Sequence, residues 1–221
     1  MTEPVLEARS LYRFFHAGED EVLALRGVSL SASKGELVAV SGPSGSGKST
    51  LLACLAGLDE PDGGHVRVNG RMLSRRPETE RAEVRARSIG TVFQSDNLVG
   101  HLDVAANLRI AQSLAGRDDP DQRARLLDVL GLVSRAGSLP RQLSGGEAVR
   151  AGLAVALAND PPILIADEPT GEVDETTESE ILSLLAEQAA AGLTVIMATH
   201  SDAVAAAASR VVTLVDGQVA G

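Results

Sequence analysis

The sequence predicts an α/β domain built mainly on a parallel sheet, and three observations lead there. Short apolar runs alternate with helical patterns along most of the chain. One run, Glu36–Val40, passes directly into a glycine-rich loop and then an apolar helix. From about Leu102 to Asn159 the strand signals fade and helical spacing takes over.

Taken in order, Val5–Ala8 and Val22–Leu30 read as the first strands, the second closed by Ser31-Ala32-Ser33-Lys34-Gly35. Glu36–Val40 is a stronger strand, and Ser49–Leu58 is the helix after the loop. The cluster Asp59-Glu60-Pro61-Asp62-Gly63-Gly64 is a turn, and Val66–Val68 before Asn69-Gly70 predicts a small antiparallel hairpin at the edge. In the helical stretch, Arg123–Leu132 sets Leu126, Leu127 and Leu130 at helical spacing. Strands return at Ile163–Ala166, Thr194–Ala198 and Val211–Val215, with a helix near Thr176–Ala191. The expectation is a single domain: an α/β core from residues 1–94 and 160–221, an antiparallel β edge, and an inserted helical subdomain over about 95–159.

At 221 residues the chain can bury a large core without a disulfide or metal staple, and its single cysteine, Cys54, is expected to pack in a helix. That usage fits a reducing compartment. The net charge of −10 comes from 20 basic and 30 acidic side chains, with only 2% aromatic residues. A basic face with stacking aromatics is the mark of nucleic-acid binders, so no nucleic-acid partner is expected. The first residues, Met-Thr-Glu-Pro, lack a signal-peptide pattern, and no run reaches the ~18 apolar residues that span a bilayer. Any membrane role falls to a separate partner.

Gly42-Pro43-Ser44-Gly45-Ser46-Gly47-Lys48-Ser49, followed by Thr50, matches the phosphate-loop pattern G-x-x-x-x-G-K-[ST]. Its glycines let successive backbone N–H groups turn inward on an anion, and the following helix adds its positive end. Lys48 would reach the β- and γ-phosphates, and Ser49 would offer a hydroxyl to Mg²⁺. With only two lysines in the chain, composition gives roughly 0.003 chance matches, so nucleotide binding is the reading. Ile163–Ala166 then ends in two acids, Asp167 and Glu168. Asp167 would act on Mg²⁺ and Glu168 would polarise the attacking water as general base.

Leu143-Ser144-Gly145-Gly146-Glu147, lying between those two sites, resembles the signature of ATP-binding-cassette (ABC) ATPases. The resemblance runs from about Leu6 to Gly217. It implies a cassette in which Ser144, Gly145, Gly146 and Glu147 face the ATP held by a second subunit, making a homodimer around two ATP·Mg²⁺. It further implies that Gln94 senses Mg²⁺ and water, that His200 contacts the γ-phosphate, and that Asp174 lies in the loop crossing to the partner. Asp167 would hold its ion through water. Phe15 matches an adenine-stacking position, with Phe14 and Tyr12 as alternatives; His16, His65 and His101 are expected to be structural or solvated. Val40–Leu55, Ile89–Leu98 and Ala166–Gly171 are most similar to the lipoprotein-release and macrolide-export (MacB-type) group, which pairs with FtsX-like permeases. The implied role is an ATP-hydrolysing subunit at the inner face of the plasma membrane that drives export or extraction.

Several positions depart from that pattern. Ala148-Val149 replace polar residues, Val155 replaces an arginine, Glu172-Val173 replace Asn-Leu, and Ala106 replaces a glutamate near the permease contact. These bear on turnover and partner contacts. Three other readings are a regulatory switch acting through an FtsX-like protein without transport, a soluble repair or translation ATPase, and a cassette that binds ATP without hydrolysing it.

Overall fold

Ten strands and seven α-helices build the protein. The strands are β1 (Leu6–Ala17), β2 (Asp20–Ala32), β3 (Leu37–Ser41), β4 (Gly63–Val68), β5 (Arg71–Met72), β6 (Ile89–Val92), β7 (Ile163–Asp167), β8 (Thr194–Ala198), β9 (Arg210–Val215) and β10 (Gln218–Val219). The helices are α1 (Lys48–Leu55), α2 (Glu78–Ser88), α3 (Val104–Leu114), α4 (Pro120–Val129), α5 (Gly145–Leu157), α6 (Glu175–Ala190) and α7 (Asp202–Ala207). These counts belong to residues 3–17, 20–95, 97–171 and 173–220, which the computed structural model describes, the side chains of 16, 17, 20 and 21 excepted. Glu172 and the side chain of His16 lie outside that description.

The strands form two sheets. One is antiparallel, in the order β2-β1-β4-β5; the other runs β10-β9-β3-β8-β7-β6 and is parallel except where β10 turns back on β9. β8 is buried throughout, and β3 and β7 are buried except at their last residues, which is why they read as unbroken apolar runs. β9 alternates instead, with Val212 and Leu214 inward.

The core lies on both faces of the parallel sheet. On one side Leu51, Leu52, Cys54 and Leu55 of α1 pack with Leu11, Leu25 and Val66 of the antiparallel sheet. Each such leucine contributes about 1.5–3 kcal/mol when fully buried. On the other side Leu108, Leu126, Leu132, Leu153 and Leu185 meet Leu37, Leu164 and Val195. Between residues 104 and 157 the described chain holds three α-helices and two 3-10 turns but no strand. Gln112, fully buried, ties these helices together by donating to Ala158 O at 2.9 Å and accepting from Asp119 N at 2.9 Å.

Several boundaries differ from expectation. β1 runs on to Ala17 rather than stopping at Ala8, because register shifts after Ala8, Leu11 and Arg13 break the alternation that marks a strand. α4 spans Pro120–Val129 rather than Arg123–Leu132: the Asp119 side chain caps it at Gln122 N (3.0 Å), Pro120 opens it, and Gly131 turns away at φ 66°. α1 ends at Leu55, three residues short of Leu58. α2, β6, α7 and β10 were unforeseen. α2 buries no residue, so it has no apolar stripe; its ends carry Glu78 and Glu80, then Arg85 and Arg87, which suit the helix dipole. Cys54 packs as expected, and burial, with Asp59 nearby, pushes its thiol up to about 12.

Candidate active site

The loop between β3 and α1 forms because its glycines take backbone angles that other residues avoid. Gly47, at φ 99°, caps α1 without a side chain, and no acid occupies the helix's first turn. The amides at that end therefore face an anion with no competing carboxylate. Lys48 is buried, and its ammonium donates to Gly42 O at 2.9 Å and Pro43 O at 3.1 Å. Its Nζ also lies 3.2 Å from His200 Nε2. Ser46 Oγ is buried in the same loop with no hydrogen-bond partner among the described residues.

β7 and β8 deliver the second set of groups. Asp167 pairs with Ala198 at the end of the sheet, and Glu168 follows at φ 47°, with its N–H donating to Ala198 O at 3.1 Å. A left-handed glutamate costs on the order of 1–2 kcal/mol, and such strain collects at functional sites. Glu168 Oε1 lies 2.8 Å from His200 Nε2. One imidazole nitrogen thus stands between an ammonium and a carboxylate, so its tautomer decides whether it accepts from Lys48 or donates to Glu168.

These residues open on one cavity of about 510 Å³, lined by Ser44, Gly45, Gly47, Lys48, Ser49, Thr50, Gln94, Glu168, His200 and Phe15. Gly42, Pro43 and Ser46 belong to the loop behind that lining. Of the three candidate aromatics, Phe15 alone lines the cavity; Tyr12 lies against Gly27 and Gly63. Asp167 opens on an adjoining cavity of about 240 Å³, which shares Ser49 with the first. Val22, Leu23, Ala24, Arg26, Asp216 and Gly217 complete the larger cavity and are not marked by any of the motifs. The one available signal was Asp216-Gly217, a hairpin-turn pair before β10.

The signature residues lie elsewhere. Ser144 caps α5, its hydroxyl accepting from Glu147 N at 3.3 Å while Glu147 Oε2 accepts from Ser144 N at 2.8 Å. The Ser144 amide, and then Arg135 Nε at 2.8 Å, hold the Glu147 carboxyl below its usual range. Gly145 opens the helix, and Gly146 packs so tightly on α6 that a Cβ there would lie 2.8 Å from Thr177 Cγ2. Asp174 caps α6 at Thr177 N (3.0 Å) and also accepts from Thr177 Oγ1 (2.8 Å), which lowers its carboxyl. None of Ser144, Gly145, Gly146, Glu147 or Asp174 lines the cavity of Lys48.

Residues 25–171 match the family model described as ABC transporter. The macrolide export ATP-binding/permease protein MacB of Hahella chejuensis is 40% identical over 99% of this chain, and its counterpart from Burkholderia thailandensis is 42% identical over 100%. The chain spans only 34% of either relative. A dimeric post-hydrolysis structure of the ATP-binding cassette MJ0796, bound to ADP and Pi, matches with a TM-score of 0.91 and 34% identity, over 98% of this chain and 97% of that one. Sharing that cassette almost end to end, and the family model over more than half its length, the chain belongs to the ABC transporter family as one of its ATP-binding cassettes.

Proposed function

We propose that this cassette binds ATP in the 510 Å³ cavity, hydrolyses it within a dimer of cassettes, and so drives a separate integral-membrane permease. The observation that carries the reading is the contact of Lys48, His200 and Glu168 beside the uncapped end of α1. Lys48, fixed by two loop carbonyls, presents its charge to the β- and γ-phosphates. Glu168 accepts a proton from water as the water oxygen bonds to the γ-phosphorus. The bond to the β,γ-bridging oxygen breaks, and ADP and inorganic phosphate leave. Gln94 orients that water, His200 contacts the γ-phosphate, and Phe15 receives the adenine.

Mg²⁺ fits the donors present: the Ser49 hydroxyl, the Gln94 amide oxygen and the Asp167 carboxylate are all hard oxygens, and Ser49 borders both cavities. When bound, the ion would neutralise charge on the transferring phosphoryl group. Since Ser144, Gly145, Gly146 and Glu147 lie outside this cavity, we assign them to the ATP of a second copy, with Asp174 in the loop that crosses to it. That MJ0796 is dimeric with ADP and Pi bound supports the presence of a second copy. We also take residues 1–94 and 160–221 as the α/β core, and about 95–159 as a helical subdomain.

Among the described residues no helix is long and apolar enough to cross a membrane. An exposed groove of about 580 Å³ is lined in part by Leu58, Phe93, Ala111, Leu114 and Val155. Leu114 there is 76% exposed, and such patches mark docking surfaces. We assign this groove to a permease, FtsX-like by the kinship with MacB-named proteins, which places the cassette at the inner face of the plasma membrane in export or extraction.

The test is Glu168→Gln. It should bind ATP, accumulate as a dimer by size-exclusion chromatography, and release phosphate at least ~100-fold more slowly. Wild-type turnover in that variant would remove Glu168 as the base.

A further inference from the structure

We infer that Arg13 is a positioning residue for nucleotide-base binding, holding the Phe15 ring against the cavity from behind; this rests on Phe15 as the base platform. The Arg13 guanidinium lies 4.7 Å from the centre of the Phe15 ring. It is anchored in a fork: Nε donates to Asp59 Oδ2 at 2.7 Å, Nη2 to Asp59 Oδ1 at 2.9 Å, and Nη1 to Asp62 Oδ2 at 3.1 Å. Three of its five donors are thus spent in the plane of the group, so its face remains for the ring. The Asp59 hydrogen bond leads in raising the Arg13 pKa further, and the cation persists at any working pH.

The anchor also sets where the ring stands relative to the phosphate loop. Asp62 Oδ2 accepts from Phe14 N at 2.8 Å, and Asp62 N donates to Tyr12 O at 2.9 Å, so this turn grips β1 on both sides of Arg13. The same turn is bound to α1, because Asp59 N donates to Ala53 O at 3.2 Å. Lys48 begins α1, so one short helix carries the phosphate-binding lysine at its start and the clamp on the base platform just past its end. Phe15 is 41% exposed and lines the cavity. With a cation covering one face, a base stacks from the cavity side, and the ring's quadrupole holds Arg13 in place.

A structural arginine and a base-positioning arginine differ in what they do to a ligand without a base. ADP and inorganic pyrophosphate are titrated by calorimetry into wild type, Arg13→Gln, Phe15→Ala and the double variant. Arg13→Gln should weaken ADP about three- to ten-fold. Phe15→Ala should weaken it about ten-fold or more. The double variant should bind ADP no more weakly than Phe15→Ala, and pyrophosphate should bind all four alike. In steady-state assays Arg13→Gln should raise KM for ATP and leave kcat unchanged.

Unchanged ADP affinity in Arg13→Gln beside a loss in Phe15→Ala would overturn the inference and leave the platform standing. Unchanged ADP affinity in Phe15→Ala would remove the platform itself and the inference with it. Equal weakening of ADP and pyrophosphate in Arg13→Gln would make Arg13 a support of the phosphate loop and overturn its role at the base. Arg13→Lys keeps a cation between the two carboxylates without the planar fork. If Arg13→Gln fails to fold, Arg13→Lys is titrated in its place against the same outcomes.

Discussion

Two glycines of the phosphate loop should respond very differently to the same added methyl group. Gly45 sits at φ 77°, and a Cβ built there meets nothing within 4 Å. Its replacement by alanine carries only the left-handed backbone penalty, about 1–2 kcal/mol. Gly42 sits at φ 145°, where a Cβ would lie 2.1 Å from Leu214 O and 2.9 Å from Ser46 Oγ. Leu214 cannot retreat, because it is fully buried and its strand β9 is hydrogen-bonded to β3 through Val40 and Ser41. Overpacking of about 1–3 kcal/mol therefore adds to backbone strain of about 1–3 kcal/mol, giving about 2–6 kcal/mol for Gly42→Ala. Against a total stability of about 5–15 kcal/mol that is a large loss, and relief by shifting the loop would also move the amides around the phosphate. Urea unfolding and ADP calorimetry measure both. Gly45→Ala should lose about 1–2 kcal/mol and stay within a few-fold of wild-type ADP affinity. Gly42→Ala should lose about 2–6 kcal/mol, more than Gly45→Ala, and bind ADP at least ten-fold more weakly. Equal stability losses, or a Gly42→Ala protein as stable as wild type, would refute the reasoning.

Two further outcomes follow from the surface and the strand ends. Burial pushes the Glu36 carboxyl up, but Arg210 Nε at 2.8 Å and Ser33 N at 2.8 Å outweigh it, and the group stays below its ordinary 4.5. A depressed folded value means the contribution is present above the unfolded value and is lost as pH falls through the folded one. Glu36→Gln should thus be about 1 kcal/mol less stable at about pH 7 by urea unfolding, and the gap should narrow as the pH falls below the ordinary carboxylate range. Leu114→Glu, in the exposed groove, should leave ADP affinity unchanged while abolishing co-purification of the membrane subunit from detergent-solubilised membranes. Retained co-purification would move the docking surface elsewhere.

The glycine contrast also explains why some of this molecule was legible before its structure was known. The loop pattern requires glycine at 42 and 47 but tolerates any residue at 45. A Cβ at 47 would lie 2.5 Å from Ala24 O, whereas 45 is open. Motif positions therefore record places where backbone meets backbone, and those survive as residue identity. The buried strands were readable for a similar reason, since a strand covered on both faces must be apolar throughout. What stayed hidden had no such imprint. α2 is held by surface ion pairs such as Arg81 to Glu60 at 2.8 Å, which leave no periodic stripe. The long β1 is bulged, so alternation fails just where Arg13 and Phe15 approach the cavity. Arg13 itself was invisible, because its carboxylate partners stand 46 and 49 residues away.

The departures from the family pattern take on a definite meaning once α5 is seen in place. Val149 and Val155 pack against the apolar cluster beneath the helix, and Val155 also borders the exposed groove. Val155 lies in the last turn of α5, and Val149 lies about one turn in from its amino end. At that end Ser144 and Glu147 satisfy each other's amides, and Arg135 balances the Glu147 charge. A lone glutamate in the first turn would repel a phosphate; one already engaged by an amide and a guanidinium repels it far less. In the dimer proposed above, the end of α5 would meet an anion that its own chain's cavity does not bring to it. Within the cassette reading, that anion is the γ-phosphate of a second copy. Val149 and Val155 then bear on how firmly α5 is seated and, at Val155, on the groove proposed for a permease.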